Sequence, residues 1–281
     1  MDNKETFNTV VSLVARQPWV GSKIPEMTHM LYEECKCSRS REMLVNIISG
    51  FFYLSLTEYH SKLSDLALEV MAQEHYEDDA LIVAMAADSN PDSSHELLYN
   101  LKYIFTKAGW NSFTGVSSFG SAYKKYKTTG RKRLVVVDDF VGSGKTVISR
   151  CRELNKVFEN AEVEGFSVSV KVLVSTRRGL ENIRAEGIDV TAQHEISKAI
   201  DDSFPDTVAA EYRNLMIELE ANLSKAYNDI EMPSMGYNDA QAAYCRENSN
   251  TPNSVFPVFW WPFNNDSNKR STMLHRAMED A

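Results

Sequence analysis

The feature that most constrains the fold is residues 134–146, which read Leu-Val-Val-Val-Asp-Asp-Phe-Val-Gly-Ser-Gly-Lys-Thr. The first four are apolar and mostly β-branched, without the polar alternation of a strand that has one face in water. They therefore predict a strand buried on both faces, in the middle of a parallel sheet. An apolar pattern at helical spacing follows at Val147, Ile148, Cys151 and Leu154. Strand, glycine loop and helix together predict an α/β fold with a phosphate-binding turn.

Spacing separates the kinds of loop that bind phosphate in this layout. A Walker A loop needs a glycine five positions before its Gly-Lys-Thr, but counting back from Gly144 reaches Asp139. A dinucleotide-binding loop needs a third glycine three residues after Gly144, and that residue is Val147. What remains is an acidic pair at a strand end, two apolar residues and a small-residue loop that closes in threonine. The alternative is a polar turn after a buried strand.

This arrangement resembles the ribose-phosphate motif of the type I phosphoribosyltransferases. The resemblance covers residues 80–207 and implies a central, mostly parallel sheet of that family's kind. It also implies that Asp138 and Asp139 are catalytic and face the two ribose hydroxyls of phosphoribosyl pyrophosphate, with a magnesium ion as cofactor. The chemistry agrees, because ionised carboxylates accept strong hydrogen bonds from a vicinal diol.

The same resemblance assigns the 5′-phosphate to the loop residues Val141, Gly142, Ser143, Gly144, Lys145 and Thr146. One departure from the family concerns Gly142, because purine-salvage members often carry an acid/base aspartate there. The first predicted strand covers residues 80–86. A second departure concerns the loop that follows this strand, where the family receives the pyrophosphate. That loop carries Asp88 and Asp92 and has neither glycine nor a basic residue.

Residues 124–133 are rich in positive charge, with six basic residues among ten. Their place before the motif strand matches the mobile flap that closes over pyrophosphate in several family members. That match makes Lys124, Lys125 and Lys127 candidate substrate-binding residues. Two alternatives stay open for this basic loop, namely a solvated loop and a small nucleic-acid patch.

Two arginines follow the predicted strand 166–176. The carboxyl ends of parallel strands meet at one edge of a sheet, where ligands gather. Arg177 and Arg178 are therefore candidate substrate-binding residues at the edge that carries the glycine loop. Their alternative interpretation is as surface arginines without a ligand.

The remaining segments lie on either side of the predicted core, residues 79–207. Residues 1–78 carry apolar stripes at helical spacing and predict an N-terminal helical region. Residues 208–281 predict a long helix, 208–227, and a C-terminal hood, a segment that covers the site. Its Asn-Thr-Pro-Asn, 250–253, and the aromatic run after it resemble the C-terminal block of bacterial phosphoribosyltransferase-like proteins from conflict and phage-defence loci, including retrons. The run's aromatic residues predict either base stacking or core packing.

Composition limits the class of protein. A formal net charge of −9 argues against broad coating of nucleic acid. The four cysteines lack zinc or redox spacing and suit a reducing cytoplasm. The start is no signal peptide, and the most apolar run, 43–56, is too short and polar to span a membrane and predicts a buried helix.

The leading hypothesis is a phosphoribosyltransferase-like enzyme, an effector in antiphage defence that acts with a protein partner encoded nearby. It takes phosphoribosyl pyrophosphate or a related ribose-phosphate nucleotide. Two alternatives are a catalytically silent ribose-phosphate sensor or regulatory subunit, and a nucleic-acid-associated subunit that uses the basic loop.

Overall fold

The computed structural model describes residues 3–86 and 93–278, so the predictions for Asp88 and Asp92 lie outside the described residues. The chain forms two compact units. One is Leu56–Ile196, and the other combines Met1–Ser55 with Ser197–Ala281. The predicted division of the sequence into segments 1–78, 79–207 and 208–281 stays a prediction. The two compact units have different bounds.

The N-terminal part of the discontinuous unit is helical. Its elements are α1 (Asn3–Arg16), α2 (Ile24–His29), α3 (Ser38–Ser49) and a short strand, β1 (Phe52–Leu54). The prediction of one buried helix over 43–56 is wrong, because α3 ends at Ser49 and the chain then extends into β1. Gly50 follows α3, and its N–H bonds back to the carbonyl of Asn46.

The continuous unit is built on a five-stranded parallel sheet. Its strands are β2 (Ala80–Ala84), β3 (Gly115–Val116), β4 (Arg133–Val141), β5 (Ser167–Thr176) and β6 (Asp189–Ile196). Its helices are α4 (Leu56–Met71), α5 (Tyr76–Asp79), α6 (Ser93–Lys107), α7 (Ala122–Thr129), α8 (Lys145–Asn160) and α9 (Arg177–Ala185). The predicted mixed α/β class with a central parallel sheet is confirmed.

Strand order places the carboxyl ends of β2 and β4 at a topological switch point. The order across the sheet is β3-β2-β4-β5-β6, so the chain leaves β2 toward one side and returns on the other. In open parallel sheets the crevice outside such a pair of strands is where ligands bind. Residues 134–137 of β4 are buried and pair with Val168–Lys171 of β5, as expected for a central strand.

The C-terminal part of the discontinuous unit is mostly irregular. It contains α10 (Asp206–Glu220) and three short strands, β7 (Ala226–Tyr227), β8 (Ile230–Glu231) and β9 (Tyr244–Arg246). Strand β9 pairs in parallel with β1. The predicted helix 208–227 is therefore too long. No helix in the described part of the chain combines the length and the apolarity that crossing a membrane requires.

Candidate functional site

The two aspartates lie inside β4, which continues past them to Val141, so the predicted strand end at the acidic pair and the predicted loop position of Val141 are wrong. Asp139 is buried, whereas Asp138 on the opposite face is half-buried. Asp138 Oδ1 accepts a hydrogen bond from the backbone N–H of Asp139 at 2.9 Å. Asp139 Oδ1 accepts a hydrogen bond from the Ser93 hydroxyl at 2.6 Å. Both carboxylates are thus oriented by the protein at the end of the central strand.

The loop after β4 leads into α8 through a residue that must be glycine. Gly144 occupies the N-cap position with a φ of +78°, in the left-handed region that side chains disfavour. A Cβ at Gly144 would also lie 2.9 Å from the carbonyl oxygen of Gly179. Both its conformation and its close neighbour therefore require glycine.

Side chains from β5 and α9 hold the back of this loop. The carbonyl oxygens of Val141, Gly142 and Ser143 accept hydrogen bonds from three side chains: the Ser175 hydroxyl at 3.2 Å, the Thr176 hydroxyl at 2.6 Å and the Asn182 amide at 3.0 Å. A trans peptide unit points its C=O and N–H in opposite directions, and the described residues contain no cis peptide bond. The N–H groups of Gly142, Ser143 and Gly144 consequently point away from the side chains of Ser175, Thr176 and Asn182.

These N–H groups adjoin the N-terminal end of α8. The first-turn amides of a helix point along its axis and carry its positive end, so they attract anions. Lys145 and Thr146 open α8, and their side chains are exposed. Amides of the loop and of the helix therefore form one electropositive rim beside the two aspartates.

Gly179 was not singled out from the sequence. It is buried in the first turn of α9, and a Cβ there would overlap the carbonyl oxygen of Gly142. Its N–H donates to the Thr176 hydroxyl at 2.9 Å, the same hydroxyl that holds Gly142. The sequence signal is a glycine directly after the two arginines that follow a predicted strand.

The prediction of a basic loop over 124–133 is wrong for most of its length, because Lys124, Lys125 and Lys127 lie on helix α7, which ends at Thr129. Tyr123 and Tyr126 are three residues apart, and both rings pack on Phe158, with centroids 5.4 and 5.3 Å away. This shared apolar face explains the helix. The three lysines are exposed, and the Nζ of Lys127 lies 5.3 Å from the centre of the Tyr123 ring.

The other three basic residues of this stretch support the opposite end of the sheet. Buried Arg131 donates to the carbonyls of Ala80 and Ser112 at 2.9 and 3.0 Å. Lys132 Nζ bonds the Glu164 carbonyl at 2.7 Å, and Arg133 bonds the Glu74 carbonyl at 2.7 Å. The side chains of residues 131–133 therefore bind backbone carbonyls near the start of β4, at the end of the strand away from the aspartates.

Arg177 and Arg178 begin α9 and are exposed. The Nε of Arg177 donates to Glu195 Oε1 at 2.9 Å, near the end of β6. Burial lowers the pKa of the adjacent His194, as does the charge of Lys62. Both arginines thus lie at the carboxyl edge of the sheet, and their role in substrate binding stays a prediction.

The aromatic residues of the C-terminal block belong to the core of their own unit, so base stacking by them is excluded. Phe256, Phe259, Trp260 and Trp261 are all buried. The indole N–H groups of the two tryptophans donate to Val255 and Ser224 at 2.9 and 2.8 Å. The side chain of Asn250 accepts from the N–H of Ala277 at 2.8 Å.

A magnesium ion held by protein ligands alone does not fit the described residues. They contain no group of three or more His, Cys, Asp or Glu side chains able to hold a metal. Magnesium usually keeps several waters and binds through one or two carboxylates together with substrate phosphates. The oxygen ligands of Asp138 and Asp139 fit that second mode.

Paired carboxylates, a glycine loop and a helix N-terminus at the switch point of a parallel sheet define a candidate site for a phosphorylated sugar. The chain belongs to the PRTase-CE family, whose profile matches residues 37–273. The predicted membership of a phosphoribosyltransferase-like family is therefore confirmed. No curated protein matches the chain by sequence.

Three solved structures are similar to parts of the chain. A hypothetical protein from Neisseria gonorrhoeae with bound ppGpp shares 14% identity over 59% of this chain and 96% of its own, at a TM-score of 0.36. A hypoxanthine-guanine-xanthine phosphoribosyltransferase shares 14% identity over 49% of this chain and 73% of its own, at a TM-score of 0.30. The xanthine-guanine-hypoxanthine phosphoribosyltransferase of Helicobacter pylori shares 12% identity over 52% of this chain and 84% of its own, at a TM-score of 0.30.

Proposed function

We propose that the carboxyl edge of β4 binds the ribose 5-phosphate part of phosphoribosyl pyrophosphate or of a related nucleotide. The observation that carries this proposal is the orientation of the loop. Hydrogen bonds from Ser175, Thr176 and Asn182 turn the carbonyls of residues 141–143 backward. The amides then face the opposite side together with the N-terminus of α8, as a 5′-phosphate requires.

The carboxylates supply the second half of the proposed site. Asp138 and Asp139 accept hydrogen bonds from the two ribose hydroxyls, and they lie four and three residues before Gly142 in the chain. Magnesium bound with the substrate supplies positive charge next to its phosphates. Asp138 and Asp139 are the residues that hold this ion.

The proposed reaction is transfer of the phosphoribosyl group to an acceptor. The departing pyrophosphate carries developing negative charge, and donors aimed at such charge supply much of the rate enhancement in enzymes. Lys124, Lys125, Lys127, Arg177 and Arg178 are the exposed cations proposed for this task. Gly142 has no side chain to exchange a proton with the acceptor, so the acceptor is one that needs no acid or base at this position.

A catalytically silent sensor is the second candidate. Asp88 and Asp92, in the sequence that follows β2, add negative charge where the family receives pyrophosphate. Such charge opposes turnover without opposing the binding of a ribose monophosphate. Release of labelled pyrophosphate across a panel of bases and nucleotides separates the candidates: the enzyme releases it with at least one acceptor, and the sensor with none.

We also propose a role in antiphage defence, in the cytoplasm and with a protein partner. Its support is the likeness of residues 250–262 to the C-terminal block of defence-associated phosphoribosyltransferase-like proteins. Expression of the chain with its genomic neighbours is expected to protect bacteria from phage. Protection that survives loss of both Asp138 and Asp139 would contradict the proposed link to this site.

Calorimetry with phosphoribosyl pyrophosphate and magnesium tests the binding proposal. Asp138→Asn combined with Asp139→Asn is expected to weaken binding more than tenfold, about 1.4 kcal/mol, because two charged acceptors for the diol are lost. The control is Asp65→Asn with Asp78→Asn, which removes the same charge from exposed positions of the same unit. Equal affinity in the two double variants would contradict the assignment.

A further inference from the structure

The start of α6 is fastened across the crevice between β2 and β4. The Ser93 hydroxyl donates to Asp139 Oδ1 at 2.6 Å, which joins the first residue of α6 to the end of β4. Two residues later, a ring nitrogen of His95 lies 2.6 Å from the carbonyl oxygen of Ser117, directly after β3. The start of α6 is thus held on both sides of β2.

Neighbouring backbone bonds fix the same rim. The N–H of Met85 donates to the carbonyl of Val137 at 3.1 Å, immediately before the aspartates. The N–H of Phe119 donates to the carbonyl of Ala86 at 3.2 Å. These bonds tie the end of β2 to β4 and to the segment after β3, and the His95 contact ties α6 to that same segment, so Ser93 is held where it can orient Asp139.

We infer that Ser93 is a positioning residue for the ribose-binding carboxylate of Asp139, an inference that rests on the proposed function. A hydroxyl bonded to an ionised carboxylate is a short, strong contact, and it restricts the torsion of the carboxylate. The bond leaves the plane of the Asp139 carboxylate set before a ligand arrives. Ligand binding then loses less conformational freedom, which raises affinity for a diol held by that carboxylate.

The inference separates the two halves of the site. Ser93 acts through Asp139 and therefore on the ribose hydroxyls, whereas the phosphate is held by the loop and α8. The side chains of Thr176 and Asn182 hold the loop by hydrogen bonds to the carbonyls of Gly142 and Ser143, whereas the Ser93 hydroxyl bonds to Asp139. Loss of the Ser93 hydroxyl should consequently weaken sugar recognition and spare phosphate recognition.

The experiment measures binding of ribose 5-phosphate and of inorganic phosphate by calorimetry, and thermal stability, in the full chain. We expect Ser93→Ala to weaken ribose 5-phosphate about tenfold and to change inorganic phosphate affinity less than twofold. Ser93→Thr keeps the hydroxyl and should restore wild-type affinity. Ser121→Ala removes an exposed hydroxyl whose bond is to Ser118 and should change neither ligand.

The possible results distinguish this inference from the proposed function. If the wild-type chain binds ribose 5-phosphate and Ser93→Ala binds it with equal affinity, the inference is overturned but the proposed function is not. Equal weakening of both ligands also overturns it, because it indicates a general structural effect. Failure of the wild-type chain to bind ribose 5-phosphate overturns the proposed function, and the inference with it.

Discussion

The continuous and the discontinuous unit maintain their folds by different means. In the continuous unit, backbone ladders join five parallel strands, and apolar side chains, most of them aliphatic, fill the core. In the discontinuous unit, the described residues after α10 form short strands within mostly irregular backbone, and buried side chains bond directly to that backbone. Arg270, for example, pairs with Glu34 and also donates to the carbonyls of Trp261 and Val258 at 2.7 and 3.1 Å.

A second group of charges supports the same irregular part of the chain. Lys198 and Arg213 each pair with both Asp201 and Asp239, at distances between 2.6 and 3.1 Å. Burial acts to raise the pKa of Asp201, but hydrogen bonds from Lys198 and Arg213 outweigh it and lower that pKa. The comparison teaches that irregular backbone here depends on a few long-range polar contacts, whereas the sheet spreads its stabilisation over many.

Arg270→Ala should produce the largest loss of stability. It leaves two carbonyls without their donor and, among the described residues, leaves Glu34 with only His29, at 3.8 Å, as a cationic neighbour. Breaking one side of a buried ion pair costs about 3–5 kcal/mol, which is the upper bound here because Glu34 is half-buried. Chemical denaturation gives the free energy of unfolding, and hydrogen exchange locates the change. The exposed neighbour provides the control, Lys269→Ala. Faster exchange in β4 and β5 to the same extent as in residues 250–276 would break the comparison.

Glu220 should make the discontinuous unit lose stability as the pH rises from about 4.5 to about 7. Its carboxylate is buried, and burial raises its pKa from 4.5 to about 7, although Ser234 and the N–H of Met235 donate to it. The folded state binds the proton more tightly, so this stabilisation is complete below pH 4.5 and is lost as pH rises through about 7.

Glu220→Gln removes this titration while keeping a side chain that can accept both hydrogen bonds. The free energy of unfolding of the variant, relative to that of wild type, should increase by up to roughly 3 kcal/mol as the pH rises from 5 to 8. The exposed residue Glu218 provides the control, Glu218→Gln. Unfolding measured at both pH values would contradict the account if the difference between variant and wild type stayed constant.

Gly179→Ala should have a smaller effect on stability and a large effect on the candidate site. The added methyl overlaps the carbonyl of Gly142, and overpacking of this kind costs about 1–3 kcal/mol. The loop must shift to relieve the overlap, so binding of ribose 5-phosphate should fall more than tenfold. Gly120→Ala is the matched control, because a Cβ there meets nothing within 4 Å. Unchanged binding by Gly179→Ala would show that the loop does not depend on α9.

The sequence predicted the parts of the molecule that are local. Four apolar residues, two aspartates and a glycine loop in one run predicted β4, the turn and the start of α8. The contacts of Gly179, Asn182 and Ser93 with the motif were not predicted, because these residues reach it from distant positions in the sequence. Asn182 bonds Ser143 from 39 residues away, and Ser93 bonds Asp139 from 46 residues away.

The same limit applies more strongly to the discontinuous unit. Glu34 and Arg270 are 236 residues apart, and neither belongs to a periodic pattern that predicts their contact. Dense aromatic residues near Trp260 favoured core packing but left base stacking open, and burial decided between the two. Likewise, composition indicated a basic loop at 124–133, whereas the spacing of Tyr123 and Tyr126 carried the helical signal.

The central claim is that the carboxyl edge of β4 holds a ribose phosphate, and a crystal structure with ribose 5-phosphate and magnesium tests it most directly. The account predicts the phosphate on the amides of residues 142–146 and the ribose hydroxyls on Asp138 and Asp139, with the Ser93 bond retained. Ribose 5-phosphate bound elsewhere on the chain, or turned with its hydroxyls toward the loop, would contradict it.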